Sequence, residues 1–191
     1  HFFSDSEPEE YLDVLKSVPS HQLILLDKNL PGLSTVYKAV YQDFKNDIFE
    51  ALQSSLPLLK KYSSITLVFP EDIHHPRELI EGVASFCHQF KKKFYQSADA
   101  GKEVLKSKTV YIVIEEDDLA FLIKKVRQSN YKMGKDIGII SFNETPLKEL
   151  LDITVVSTDF VQMGRTAAEL ILGEKTDKHK NPSYIIHRKS L

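Results

Sequence analysis

KDIGIISFNETPLKELLDITVVSTDFVQMGRTAAELIL, Lys135 to Leu172, joins an apolar run, a polar turn, a second apolar run and an amphipathic segment in one order. Ile137 to Phe142 is almost unbroken in apolar side chains and has strand length, the pattern of a strand buried on both faces. Asn143, Glu144 and Thr145 at its carboxyl end are groups suited to hydrogen bonding. Asp152 to Val156 predicts the next strand, and Val161 to Leu172 a helix with Gly173 as its cap.

Working outward, strands and helices alternate with short connections, which predicts parallel sheets covered by helices. Ser6-Glu7-Pro8-Glu9 has the form of a capping box, with Tyr11, Leu12 and Leu15 continuing a helix. Gln22 to Leu26 is an apolar run ending in Asp27-Lys28, with a turn at Asn29-Leu-Pro31-Gly32. Asp43 is placed to cap a helix bearing Ile48, Leu52 and Leu56, which Pro57 should bend or end. Strands are expected at Ile65 to Phe69, Lys93 to Ser97, Val110 to Ile114 and Tyr184 to His187, and helices at Pro76 to Phe90 and Leu119 to Val126.

The chain has 191 residues, 42% hydrophobic, with a formal charge of -2 and no Trp, the composition of a soluble globular protein. That balance lacks the basic excess of a nucleic-acid binder, so any DNA contact is expected from elsewhere. A single cysteine, Cys87, excludes an intramolecular disulfide and suits a reducing cytoplasm; no apolar run reaches membrane-spanning length. The motifs of a nucleophile elbow, a P-loop and a dinucleotide fingerprint are absent, and Cys87 falls on the apolar face of a helix, so no enzyme is expected. His74-His75 beside Asp72 lacks a third ligand at zinc spacing, so no metal is expected either, and nothing calls for a cofactor.

The residues from Asp136 to Leu170 resemble the carboxyl-terminal part of the effector-binding domain of lactose-repressor-type regulators. In that family a strand like "DVSVIGFDD" precedes a Pro and Leu-Leu turn, a strand, and an "MGRRAAELL" helix. Here these are Asp136 to Glu144, Pro146 to Leu151, and Met163-Gly-Arg-Thr-Ala-Ala-Glu-Leu170. The resemblance implies a periplasmic-binding-protein-like type I fold of two Rossmann-like lobes with parallel sheets, the amino-terminal lobe truncated. Residues 1–62 and 158–178 would supply that partial lobe, residues 63–157 and 179–191 the other. Hinge crossings would lie near Tyr62 to Ser64, Ser157 to Asp159 and Lys178 to Pro182, with the ligand in a cleft at the strands' carboxyl ends.

By the same resemblance, Asp27-Lys28 takes the place of the family's "LDR" pair, with Lys for Arg. Arg77 matches the "RxxGF" element, its distance to Gly82 one residue longer, and is the expected fork donor to sugar hydroxyls. Glu116-Asp117 stands for the family's "ND", Asn143 for its Asp, and Thr158 for a hinge Gln. Each has a plainer alternative: Glu116, Asp117 and Asp118 as a helix's first turn, Asp27-Lys28 as a surface pair, Arg77 as a surface residue and Asn143 as a turn residue. The function implied is sugar sensing, with L-fucose or L-arabinose as candidates, by a homodimeric cytoplasmic regulator. Its DNA would be read by a module absent from this chain, of lactose-repressor or GntR winged-helix type. The alternative is a periplasmic sugar carrier feeding a transporter.

Overall fold

The computed structural model describes residues 8–30, 32–33, 36–70, 75–173 and 177–191. Ser6 of the expected capping box, Pro31, Asp72 and His74 lie outside them. The chain forms two compact units, one of residues 1–43 and 158–183, the other of residues 44–157 and 184–191.

The first unit holds helix α1 (Pro8–Ser17) and strands β1 (Ile24–Asp27) and β2 (Lys38–Tyr41). It also holds helix α7 (Phe160–Leu172) and strand β8 (Lys178–Lys180), and its sheet is parallel in the order β1-β2-β8. Neither β2 nor β8 is evident from periodicity. Lys38 interrupts the apolar run of β2, yet it is buried; its Nζ donates to the carbonyls of Leu170 at 2.6 Å and Gly173 at 2.8 Å. Those oxygens end α7, where the helix dipole favours a cation, so the charge that hides the strand also fastens the helix to it. β8 is entirely exposed and carries no apolar residue; the crossing expected at Lys178 to Pro182 is instead largely this strand. Met163, Ala167 and Leu170 of α7 pack on Val40 and Ile24.

In the second unit the elements are α2 (Phe44–Ser54), α3 (Leu56–Leu59), β3 (Ser64–Val68), α4 (Glu78–Gln89), β4 (Lys93–Ser97), β5 (Thr109–Val113) and α5 (Glu116–Gln128). They continue with β6 (Ile137–Phe142), α6 (Pro146–Leu150), β7 (Thr154–Thr158) and β9 (Ser183–Ile186), the last residue of β7 and the first of β9 counting with the first unit. The sheet order is β4-β3-β5-β6-β7-β9, and every pair from β4 to β7 is parallel. β3 and β5 are buried at every position, including the hydroxyls of Ser64 and Thr109, which bond each other at 2.8 Å. Two cores line the sheet, one with Ile48, Leu52, Val83 and Phe86, the other with Tyr111, Ile139, Leu119 and Leu122.

As expected near Pro57, the helix that bears Ile48 and Leu52 ends, at Ser54; Pro57 then occupies the first turn of α3, where its missing N–H costs nothing. Residues 44–62, expected with the amino-terminal lobe, belong to the second unit because α2 packs on α4. A Cβ on Gly82 would come within 2.4 Å of Ile48 Cγ2 and of the Lys45 carbonyl oxygen, so a glycine allows that approach. Residues 179–183, expected in the carboxyl-terminal lobe, fall in the first unit because β8 pairs with β2 and Asn181 N–H donates to the Tyr41 carbonyl at 2.7 Å.

Candidate functional site

In parallel α/β sheets, ligands bind beyond the carboxyl ends of the strands, where the strand order reverses direction. In the six-stranded sheet that point falls between β3 and β5. Phe69 follows β3, and the His75 ring meets it edge to face at 5.9 Å between centroids. His75 Nε2 lies 2.7 Å from Glu115 Oε1, at the N-cap of α5. His75 thus sits between the residue that follows β3 and the start of α5, a position that no local sequence pattern marks.

Glu116, Asp117 and Asp118 fill the first turn of α5, where carboxylates complement the exposed N–H groups of the helix. They then part ways. Asp118 turns inward, accepts the Ala100 N–H at 3.1 Å, and has its pKa raised by burial. Glu116 and Asp117 remain exposed. Glu116 Oε1 lies 3.6 Å from Nζ of Lys148, a residue of α6 whose side chain is only 3% exposed. The same ammonium donates to the carbonyls of Phe142 at 2.6 Å and Asn143 at 3.1 Å. Lys148 therefore ties two expected site residues together from below.

Asn143 has φ 59°, a left-handed conformation that Asn tolerates better than most side chains, and its N–H donates to the Val156 carbonyl at 2.8 Å. The backbone turn presents its exposed side chain just past β6. Glu144 is committed elsewhere, receiving a two-pronged guanidinium from Arg188 at 2.9 and 2.7 Å. That hydrogen-bonded carboxylate holds the Arg188 pKa above its ordinary value. Arg77 is exposed at the N-cap of α4, on a different helix from these groups.

At the strand ends of the first unit, Asp27 has φ 79° and its Oδ1 accepts from Gln42 Nε2, while the Gln42 N–H donates to the Asp27 carbonyl at 3.0 Å. Thr158 Oγ1 donates to Gln42 Oε1. One amide so joins Asp27 to Thr158, and neither Gln42 nor Lys148 carried a sequence signal beyond being polar. Lys28 follows Asp27 and is partly buried. A separate cavity of about 690 Å³ lies along α7 and β8, lined by Gln162, Thr166, Glu169, Leu170, Gly173, Asp177 and His179; none of the expected ligand-binding residues faces it. Among the described residues no group of three His, Cys, Asp or Glu could hold a metal ion, and no helix is long and apolar enough to cross a membrane.

No family model matches the chain, and no curated protein matches it. Solved structures do. A sugar-binding transcriptional regulator of the LacI family from Escherichia coli, complexed with phosphate, aligns over 100% of this chain and 74% of its own, with a TM-score of 0.75 at 14% identity. A LacI family regulator from Enterococcus faecalis V583 with bound ribose aligns over 87% and 67%, with a TM-score of 0.69 at 22% identity. A periplasmic binding protein/LacI transcriptional regulator from Alkaliphilus metalliredigens QYMF, complexed with D-xylulofuranose, aligns over 94% and 81%, with a TM-score of 0.63 at 14% identity. The chain has the periplasmic-binding-protein-like α/β fold that these regulators share.

Proposed function

We propose that this chain is the ligand-sensing part of a bacterial transcription regulator and that its effector is a neutral monosaccharide. The supporting observation is the placement of hydroxyl partners at the carboxyl ends of parallel strands, on a fold whose neighbours include regulators described with ribose and D-xylulofuranose. Asp27, Lys28, Thr158, Arg77, Glu116, Asp117 and Asn143 are the proposed ligand-binding residues: carboxylates and amide oxygens accept from sugar hydroxyls, and Lys and Arg donate to them. The acids after β5 oppose a phosphorylated sugar, which would need more cations than Lys28 and Arg77 provide. L-Fucose and L-arabinose are candidates beside the pentoses of the neighbours. DNA is read by a separate module in a cytoplasmic homodimer, and the sugar changes that reading only by binding one state more tightly than the other.

The test is thermal unfolding of the chain with ribose, xylulose, arabinose, fucose, sugar phosphates and nucleobases. A ligand at a hundred times its dissociation constant adds about 2.7 kcal/mol. The expected result is a rise in Tm with one neutral sugar that disappears in Asn143→Ala and Asp27→Ala. A rise confined to a phosphate or nucleobase, or no rise at all, overturns the reading.

A further inference from the structure

A formal charge of -2 describes the whole chain, but within the second unit charge is sorted by sheet edge. The stretches at the starts of β3, β4, β5 and β6, residues 60–63, 91–93, 106–108 and 130–136, contain nine lysines and one acid, Asp136. At the opposite edge, residues 114–118 and 143–145 contain five acids and neither Lys nor Arg. Because the strands are parallel, all these lysine-bearing connections reach the same edge.

Backbone hydrogen bonds stitch that edge into a row. Lys93 N–H donates to the Ser63 carbonyl at 3.1 Å, Ser63 N–H to Lys108 at 2.8 Å, and Lys108 N–H to Asp136 at 2.7 Å. At roughly 4.8 Å between neighbouring strands, four strand starts span about 14 Å. Of the nine lysines Lys92 alone turns inward, donating to the carbonyls of Leu59 and Tyr62; the other eight are exposed. Lys93, Lys108, Lys132 and Lys135 make no ion pair among the described residues, and the Asp136 carboxylate accepts the Lys132 backbone N–H at 2.9 Å. Lys106 Nζ stands 4.9 Å over the ring of half-exposed Tyr95.

We propose that this amino-terminal edge of the six-stranded sheet is a docking surface for the phosphate backbone of duplex nucleic acid, bound without reading its sequence. The partner must offer closely repeated negative charge along a line. A duplex carries a phosphate every ~3.4 Å along each strand, so the row faces about four of them. Lysine suits this role as a flexible point charge with no demand on geometry. An anionic bilayer fits less well, since cations alone hold a protein to it weakly and, among the described residues here, Tyr95 and Val104 are the exposed large apolar groups. The proposal is independent of any ligand at the acidic edge.

The experiment is fluorescence anisotropy of the full chain with a labelled 20-base-pair duplex of arbitrary sequence between 50 and 200 mM salt. The triple variant Lys108→Gln/Lys132→Gln/Lys135→Gln is compared with a charge-matched control, Lys16→Gln/Lys102→Gln/Arg165→Gln. Wild type should bind with a log–log salt slope of about -4, and the edge variant should lose tenfold or more in affinity and about three units of slope. The control should stay within twofold, and thermal unfolding confirms that both variants are folded. Equal losses in the two variants, or no duplex binding by wild type at 50 mM salt, overturns the proposal. So does binding to phosphatidylserine vesicles in place of DNA.

Discussion

The acidic and basic edges of the six-stranded sheet share one device, an inward lysine that bonds two backbone carbonyls, and differ in the charge they present. At the carboxyl edge the acids sit in the first turn of α5, and a buried cation, Lys148, gathers Asn143 and Glu116 from beneath. At the amino edge eight of the nine lysines are exposed, with Lys91 and Lys108 at φ 53° and 58°; backbone hydrogen bonds link the strand starts, and the ammoniums of Lys92 and Lys61 add bonds to the carbonyls of Leu59, Tyr62 and Gly134. At the carboxyl edge one buried ammonium holds two backbone carbonyls beside a single carboxylate. An edge that only presents charge needs a fixed backbone and mobile tips.

The sharpest way to break the basic edge leaves every lysine in place. Gly134 has φ 76°, and a Cβ there would stand 2.0 Å from the Lys189 carbonyl oxygen. Gly134→Ala should cost about 3 kcal/mol, combining left-handed strain with a backbone clash. Urea unfolding checks it; a loss below ~1 kcal/mol would mean that the turn is not pinned there. At the other edge, Lys148→Met keeps side-chain length but leaves the Phe142 and Asn143 carbonyls without this donor, for a loss of about 2 kcal/mol. If the two edges differ as described, this variant should also weaken sugar binding and leave the duplex salt slope unchanged.

The smallest effect concerns Asp118. Its folded pKa is raised, chiefly by burial, so the stability it contributes is present at acid pH and falls as pH rises through the folded value. Asp118→Asn, which can still accept from the Ala100 N–H, should therefore match wild type at pH 3 and exceed it modestly at pH 7, as read by Tm against pH. A variant less stable than wild type at neutral pH would show that the carboxylate's hydrogen bond outweighs its burial.

Much of this fold was legible because β3, β5 and β6 are buried on both faces, and such strands leave continuous runs such as Ile137 to Ile140. β8, reading Lys-His-Lys at an exposed edge, has no apolar signal to detect, and β2 hides behind a lysine whose partners are 132 and 135 residues away. The candidate site shows the same division. Asp27 and Asn143 are visible as polar residues that end apolar strands. Gln42 and Lys148 gain meaning only from what they touch, and no local pattern encodes a contact such as that between Gln42 and Thr158.

Cys87 lies in the core on α4, 1% exposed, with burial pushing its thiol up to about 11. Alkylating reagents attack the thiolate, so in the closed fold this sulfur is protected twice over, by access and by protonation. Any labelling at neutral pH must pass through an opening of the second unit. Being the only thiol in the chain, it makes the labelling rate a residue-specific measure of how often that core comes apart, with no engineered probe.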